Sequence, residues 1–335
     1  MFSKPMKVRL AILSSLMLCL ANMFDGAFGA STQRLTIAVV PMATTDEYWK
    51  AIHAGAMKAA KECDVDILWK GPLRLDDRNS QVDIVENMIV RQVAGVVLAP
   101  IDDTSMRGAV ENCVRSGIPV VIIDSALKSG SRISFIATDN RKGGEVAGDY
   151  LARLLNYKGR VAMLRTIEGN SSGNNRERGF LDSMKKFPNI KVVSSNQHSG
   201  GTIEEAYKAS ENLLSPLKGQ DGKLNLDGIF CPNESTTFAM LRALEDSGMA
   251  GKVKFVGFDT SAKLNAALYS GKINGLIVQN PMKMSYLAVK AIVDHLNHKK
   301  VEEIVDTGVA LITTENSKTP AMHELLEPDT AKWLK

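Results

Sequence analysis

The sequence predicts an α/β protein built as two similar halves, each a doubly wound parallel sheet covered by helices on both faces. Three observations carry this. From Leu35 onward, short β-branched runs alternate with helix-period segments, the pattern of parallel strands joined by crossover helices. Runs such as Val120-Val121-Ile122-Ile123 are apolar throughout, as strands buried on both faces must be. The whole pattern then repeats, with corresponding strands about 125 residues apart early and about 133 later. A single large doubly wound sheet is the competing architecture, and the regularity of the repeat argues against it.

Taken in chain order, residues 1–30 read as an address. Lys4, Lys7 and Arg9 form a positive start, an apolar run follows to Ala21, and small residues close it at Ala27-Phe28-Gly29-Ala30. That is the layout of a secretory signal peptide cleaved after Gly29 or Ala30. The apolar run is shorter and more broken than the ~20 residues of a spanning helix, which argues against an uncleaved anchor. Bulky Leu18 before Cys19 argues against lipidation. The expected location is periplasmic or otherwise extracytoplasmic.

The 335 residues carry 41 Lys and Arg against 37 Asp and Glu, a formal charge of +4. Without the leader the counts are 38 and 36. So small a field, with no block of like charges, does not suit nucleic acid. A composition 44% apolar and 23% charged excludes disorder and low-complexity architectures.

Strands of the first half are expected at 35–41, 65–69, 94–99, 119–124 and 133–137, with helices over 48–63, 81–92 and 105–116 between them. The second set of strands falls at 160–164, 190–193, 228–231, 253–258 and 275–278. A long helix over 282–297 and a late strand over 308–313 follow, then a polar tail from Thr314 that packs on the surface. Asp139-Asn140 and Gln279-Asn280-Pro281 fall where the chain passes between halves. Cys63, Cys113 and Cys231 are scattered, odd in number and without metal-ligand spacing, so they are read as buried thiols.

Open parallel sheets bind ligands beyond the carboxyl ends of their strands. Polar and aromatic residues gather there in both halves: Asp46, Tyr48 and Trp49 after the first strand, Asp124 and Ser125 after the fourth. In the second half come Arg176, Asn233, Asp259 and Gln279. Carboxylates, amides and a guanidinium pair with adjacent hydroxyls, and a flat ring accepts the C–H face of a sugar. Each residue also has a plainer reading. Asp46 could cap a helix, Tyr48 and Trp49 could be core, Asp124 and Asp259 could serve turns, and Arg176 could begin a solvated helix. Their shared topological position favours the cleft.

At these residues the sequence resembles the periplasmic solute-binding proteins of the ribose/galactose type, the receptors of ABC sugar importers. The likeness runs from about Leu35 to Thr314 and rests on Gly117-Ile118-Pro119-Val120-Val121, Thr138-Asp139-Asn140 with Gly143-Gly144, Arg176-x-x-Gly179-Phe180, Asn233-Glu234, Val256-Gly257-Phe258-Asp259 and Gln279-Asn280-Pro281. The resemblance implies two lobes joined by a three-segment hinge that closes on ligand. It divides the chain into a leader (1–30), an N-terminal lobe (31–138 plus 280–309) and a C-terminal lobe with tail (139–279 plus 310–335). It also implies that Asp124, Arg176, Asn233, Asp259 and Gln279 contact the sugar and that Tyr48 and Trp49 flank it. Asp46 stands where the ribose-binding members have Asn, Ser125 replaces an Arg, and an aromatic expected near Gly200-Gly201-Thr202 is missing. The resemblance therefore does not assign ribose, and a different pentose, hexose, polyol or sugar derivative fits as well.

The implied function is a non-enzymatic receptor, a monomer without cofactor or metal, that hands its sugar to the membrane permease of an ABC importer. A sensor presenting the same closed form to a chemoreceptor or histidine kinase is the alternative. A transcription regulator would need an N-terminal helix-turn-helix, for which the leader leaves no room. An exported enzyme finds no support: Gly-x-Gly-x-x-Gly, P-loop and His-Glu-x-x-His are all missing. Asp102-Asp103 reads as a helix start, and His295 with His298 as an exposed helix face. On sequence alone, Arg176→Ala or Asp259→Ala should abolish binding and leave the stability of the sugar-free protein nearly unchanged.

Overall fold

The computed structural model describes residues 34–128, 131–220 and 222–334. The expected leader, with Cys19, lies outside them. Twelve described strands form two six-stranded sheets. The first has the order β11-β5-β4-β3-β1-β2, built from β1 (Thr36–Val40), β2 (Asp66–Trp69), β3 (Gly95–Leu98), β4 (Val120–Ile123), β5 (Ser134–Ala137) and β11 (Ile304–Asp306), and is parallel throughout. The second has the order β12-β10-β9-β8-β6-β7. It comprises β6 (Gly159–Met163), β7 (Ile190–Ser194), β8 (Gly228–Phe230), β9 (Lys254–Phe258), β10 (Gly275–Val278) and β12 (Ala310–Ile312). Its pairs are parallel except β10 with β12, which run antiparallel at the edge.

Each sheet is covered on both faces, as its apolar strands require. In the first sheet, Val39, Val97 and Val121 face a core shared with α1 (Glu47–Cys63) and α9 (Pro281–Leu296). The alternate residues Val40, Leu98 and Ile122 face α2 (Arg78–Val90) and α3 (Arg107–Arg115). The second sheet repeats this arrangement. Val161, Met163 and Val256 pack with α4 (Asn140–Leu154) and α5 (Ser171–Met184). Ala162, Ile229 and Phe255 pack with α6 (Ile203–Leu214), α7 (Glu234–Asp246) and α8 (Ala262–Tyr269). The period of two along each strand thus separates four cores.

Helix starts are set by side chains at the strand ends. Asp77, Asp139, Asn170, Ser261 and Asn280 each accept the backbone N–H three residues on, and Thr202 with Glu205 forms a full capping box. The glycines of the Gly143-Gly144 and Arg176-x-x-Gly179 motifs have a packing reason. A Cβ on Gly144 would lie 1.9 Å from the Arg176 carbonyl oxygen, and one on Gly179 would lie 2.1 Å from that of Arg141. The backbones of α4 and α5 can approach this closely only without those side chains, and that approach seats Arg176.

The chain passes from one sheet to the other three times: between β5 and α4, between β10 and α9, and between β11 and β12. The first and third passages are stitched together. The Thr138 hydroxyl donates to the Gly308 carbonyl at 3.1 Å, and Asp306 Oδ1 accepts the amides of Asp139 at 3.2 Å and Gly308 at 2.8 Å.

Two features differ from the sequence expectation. Strand β11 is only three residues long with Ile304 and Asp306 exposed, so Ile304-Val305 is too short an apolar run to register as a strand, while the late strand shrinks to Ala310–Ile312. The tail is anchored through α10 (Pro320–Leu326), whose Leu326 is buried in the core beneath α7 and α8. All three cysteines are free thiols; Cys113 within α3 and Cys231 just beyond β8 are buried as expected, whereas Cys63 at the end of α1 is only partly buried. No helix among the described residues is long and apolar enough to cross a membrane.

Candidate functional site

The carboxyl ends of the two sheets face one another, and the residues that follow the strands meet there. Asp124 follows β4 and Asp259 follows β9, the equivalent strand of the other sheet. Both have left-handed backbone, with φ of 62° and 67°. Asp tolerates this region better than most residues, and such conformations persist where the surroundings over-determine them. The turn points both carboxyls into the space between the sheets, where both residues are about 95% buried.

Arg176 lies between them. Its Nη2 is 3.9 Å from Asp124 Oδ1 and its Nη1 is 3.8 Å from Asp259 Oδ2. Nε donates to Asn140 Oδ1 at 2.7 Å, Nη1 donates to the Pro232 carbonyl at 2.9 Å, and the guanidinium lies 4.0 Å from the Phe258 ring centroid. Except for Asp124, every one of these partners belongs to the elements around the second sheet. Arg176 is only 3% exposed, so it is an anchored buried cation and not the solvated helix start that sequence allowed.

Gln279 continues the arrangement. Its Nε2 donates to Asp259 Oδ1 at 2.7 Å, which turns Oε1 away from that carboxylate. Across the cavity the Tyr48 hydroxyl donates to Asp124 Oδ1 at 2.7 Å. Trp49 meets the Tyr48 ring edge-on, with centroids 5.0 Å apart. Both rings pack in the core between β1 and α9 and also line the cavity. Asn233 caps α7 through Thr236 and also lines the cavity.

Two expected residues behave differently. Asp46 occupies the N-cap position of α1 and lines the cavity, but its side chain makes no capping bond. Ser125 does not reach the cavity. Its Oγ accepts the Ser172 amide at 3.1 Å across the gap, so its buried hydroxyl is already committed.

Sequence reasoning missed Glu234, Asn170 and Ser172 in this wall. Glu234 was legible as half of the Asn233-Glu234 motif, yet nothing in its neighbours told which way the carboxylate points. It accepts the Tyr48 amide at 2.9 Å and the Glu47 amide at 3.3 Å, both at the start of α1. Burial, with Asp46 nearby, pushes its carboxyl up to about 8, against the pull of those two amides. Burial likewise raises Asp259 to about 6, opposed by Arg176 and Gln279, and moves Asp124 and Asp46 upward.

The space these side chains line is about 40 Å³. Two polar atoms in its wall are buried without a hydrogen-bond partner, Arg176 Nη2 and Gln279 Oε1. One is a donor and the other an acceptor. No group of His, Cys, Asp and Glu among the described residues is arranged to hold a metal ion.

Comparison with known proteins agrees with this geometry. Residues 37–300 match the model of the periplasmic binding protein domain family. The D-ribose/D-allose-binding protein of Pseudomonas aeruginosa is 28% identical over 292 residues, covering 83% of this chain and 88% of that protein. A carbohydrate transporter solute-binding protein from Agrobacterium radiobacter, solved with D-arabinose, superposes with a TM-score of 0.83 at 31% identity, covering 89% of this chain and 100% of that one. An ABC transporter solute-binding protein from Agrobacterium vitis, solved with D-fucose, gives 0.82 at 30% identity over 87% and 100% of the two chains. Two facing α/β sheets, a polar cavity between their strand ends and a family match over most of the length lead to one conclusion: this chain belongs to the periplasmic binding protein family.

Proposed function

We propose that the protein is an extracytoplasmic receptor that closes two lobes around a neutral sugar or polyol and delivers it to the permease of an ABC importer. The lobes are 31–138 with 280–309 and 139–279 with 310–335, the three passages between the sheets act as the hinge, and residues 1–30 direct export. A monomer suffices, because one chain supplies both walls.

The observation that carries the reading is the pair of unpartnered atoms, Arg176 Nη2 and Gln279 Oε1, set between two buried aspartates. A buried polar group left unpaired costs about 1–3 kcal/mol. A hydroxyl both accepts and donates, so a polyhydroxylated ligand recovers both. Asp124 and Asp259 then take further hydroxyls, and Tyr48 and Trp49 face the C–H side of the ring. Asp124, Arg176, Asp259 and Gln279 are all buried, so the lobes must part to admit a ligand to them. The relatives bind or are named for ribose, allose, arabinose and fucose, which supports a monosaccharide class.

A thermal-shift screen of sugars, polyols and sugar acids tests this. A ligand that binds only the folded protein adds ~2.7 kcal/mol at a hundredfold excess over its dissociation constant, a shift of several degrees. A shift with one pentose, hexose or polyol, abolished in Asp259→Asn, is the expected result. Absence of any shift across the panel would overturn the sugar-receptor reading.

A further inference from the structure

Helix α1 carries Tyr48 and Trp49, yet its own N-cap residue leaves it uncapped. Asp46 has the extended backbone of an N-cap, with φ −86° and ψ 154°, and its carboxyl accepts only the Thr45 hydroxyl, at 3.2 Å. The first amides of α1 are instead taken by Glu234, the first residue of α7 beneath the opposite sheet. The backbone N–H of Glu234 donates to Asp259 Oδ2 at 3.2 Å, which ties this acid to the cavity carboxylate. One residue therefore links the helix bearing the two rings, through its side chain, to the wall built on Asp259, through its backbone.

We propose that Glu234 is a positioning residue for ligand binding: it caps α1 across the cleft only when the lobes are closed, and so holds Tyr48 and Trp49 against the bound molecule. This rests on the receptor reading above. When the lobes part, the Glu47 and Tyr48 amides and the Glu234 carboxyl return to water. The cap then stabilises the closed form alone, and its loss is read as faster ligand release. Burial supports the assignment, because Glu234 is 9% exposed in this arrangement and its carboxyl is held far above the usual range by desolvation, with Asp46 and Asp259 adding to it.

Single-residue hydrogen exchange of the protein, with and without a mixture of D-ribose, D-allose, D-arabinose and D-fucose, tests this directly. The Ser172 amide, bonded across the cleft to Ser125, reports closure independently of Glu234. In the unmodified protein the mixture should slow exchange at Glu47, Tyr48 and Ser172 by tenfold or more. Glu234→Ala should abolish the slowing at Glu47 and Tyr48, keep it at Ser172, and speed sugar release roughly tenfold, the usual scale for a lost helix cap. Glu234→Gln retains one acceptor oxygen and should restore protection at Tyr48.

Full protection of Glu47 and Tyr48 in Glu234→Ala would overturn the proposal. So would protection already complete without sugar, since the cap would then be a fixed structural bond. Failure of the mixture to protect Ser172 in the unmodified protein would strike the closure reading itself, and this inference would fall with it.

Discussion

Replacing Arg176 by Met removes the cation and leaves a side chain of similar length in its place. Two hydrogen bonds disappear, to Asn140 Oδ1 and the Pro232 carbonyl, together with the stacking on Phe258. Asp124 and Asp259 are left facing a buried space with no counter-charge between them. Removing one partner of a buried ion pair typically costs 3–5 kcal/mol. At ~2–4 °C per kcal/mol for domains of this size, the sugar-free midpoint should fall by roughly 6–20 °C. This reverses the expectation from sequence alone, which saw no burial. The partners other than Asp124 lie around the same sheet as Arg176, so the loss does not depend on lobe closure.

The charge contribution has its own signature. Asp259 is raised to about 6 even with Arg176 beside it, and without Arg176 it must rise further. A raised carboxyl pKa makes stability fall as pH rises from its unfolded value to its folded one, because the folded state binds the extra proton. The variant should therefore lose more stability than its parent between pH 4.5 and pH 7.5, and the gap in midpoint should narrow markedly at the acid end. Differential scanning calorimetry at several pH values measures both. A midpoint within about 2 °C of the parent at pH 7.5 would refute the anchoring argument, and a gap independent of pH would refute the electrostatic part.

Other outcomes are expected. Glu234 is raised to about 8 by burial, with Asp46 and Asp259 near it and the Tyr48 and Glu47 amides opposing, so closure takes up a proton between its ordinary value and pH 8. Sugar affinity should thus weaken from pH 6.5 to pH 8 and do so less in Glu234→Gln; equal slopes by titration calorimetry would exclude Glu234 as the source. Trp49 lines the cavity, whereas Trp69 stacks on His53 and Trp333 lies by Lys61, so Trp49→Phe should remove most of any sugar-induced change in tryptophan fluorescence. A full response in that variant would place Trp49 outside the ligand's reach. Gly144→Ala sets a Cβ against the Arg176 carbonyl and should cost ~1–3 kcal/mol in urea unfolding while weakening sugar binding. Unchanged stability would mean that α4 and α5 can separate without penalty.

What could be read from the chain and what could not divide along a physical line. Strand and helix positions follow from local periodicity, and each lobe pairs strands with near neighbours, so the alternation of runs between Thr36 and Val278 was enough to expect two sheets and to collect Asp124, Arg176, Asn233, Asp259 and Gln279 at their ends. Edge strand β11 escaped because two apolar residues, Ile304 and Val305, are too short a run to set a period. The direction of each side chain was decided elsewhere. Glu234 meets α1 from 187 residues away, and Ser125 meets Ser172 across the cleft. Arg176 became a buried anchor because two glycines let α4 and α5 close on it. Such contacts depend on how the two lobes meet, a rigid-body relation set by three chain passages and not by the composition of any one segment. Local sequence therefore determined the elements and the neighbourhood of the site, while the closed tertiary arrangement alone decided which groups in it are paired and which still await a partner.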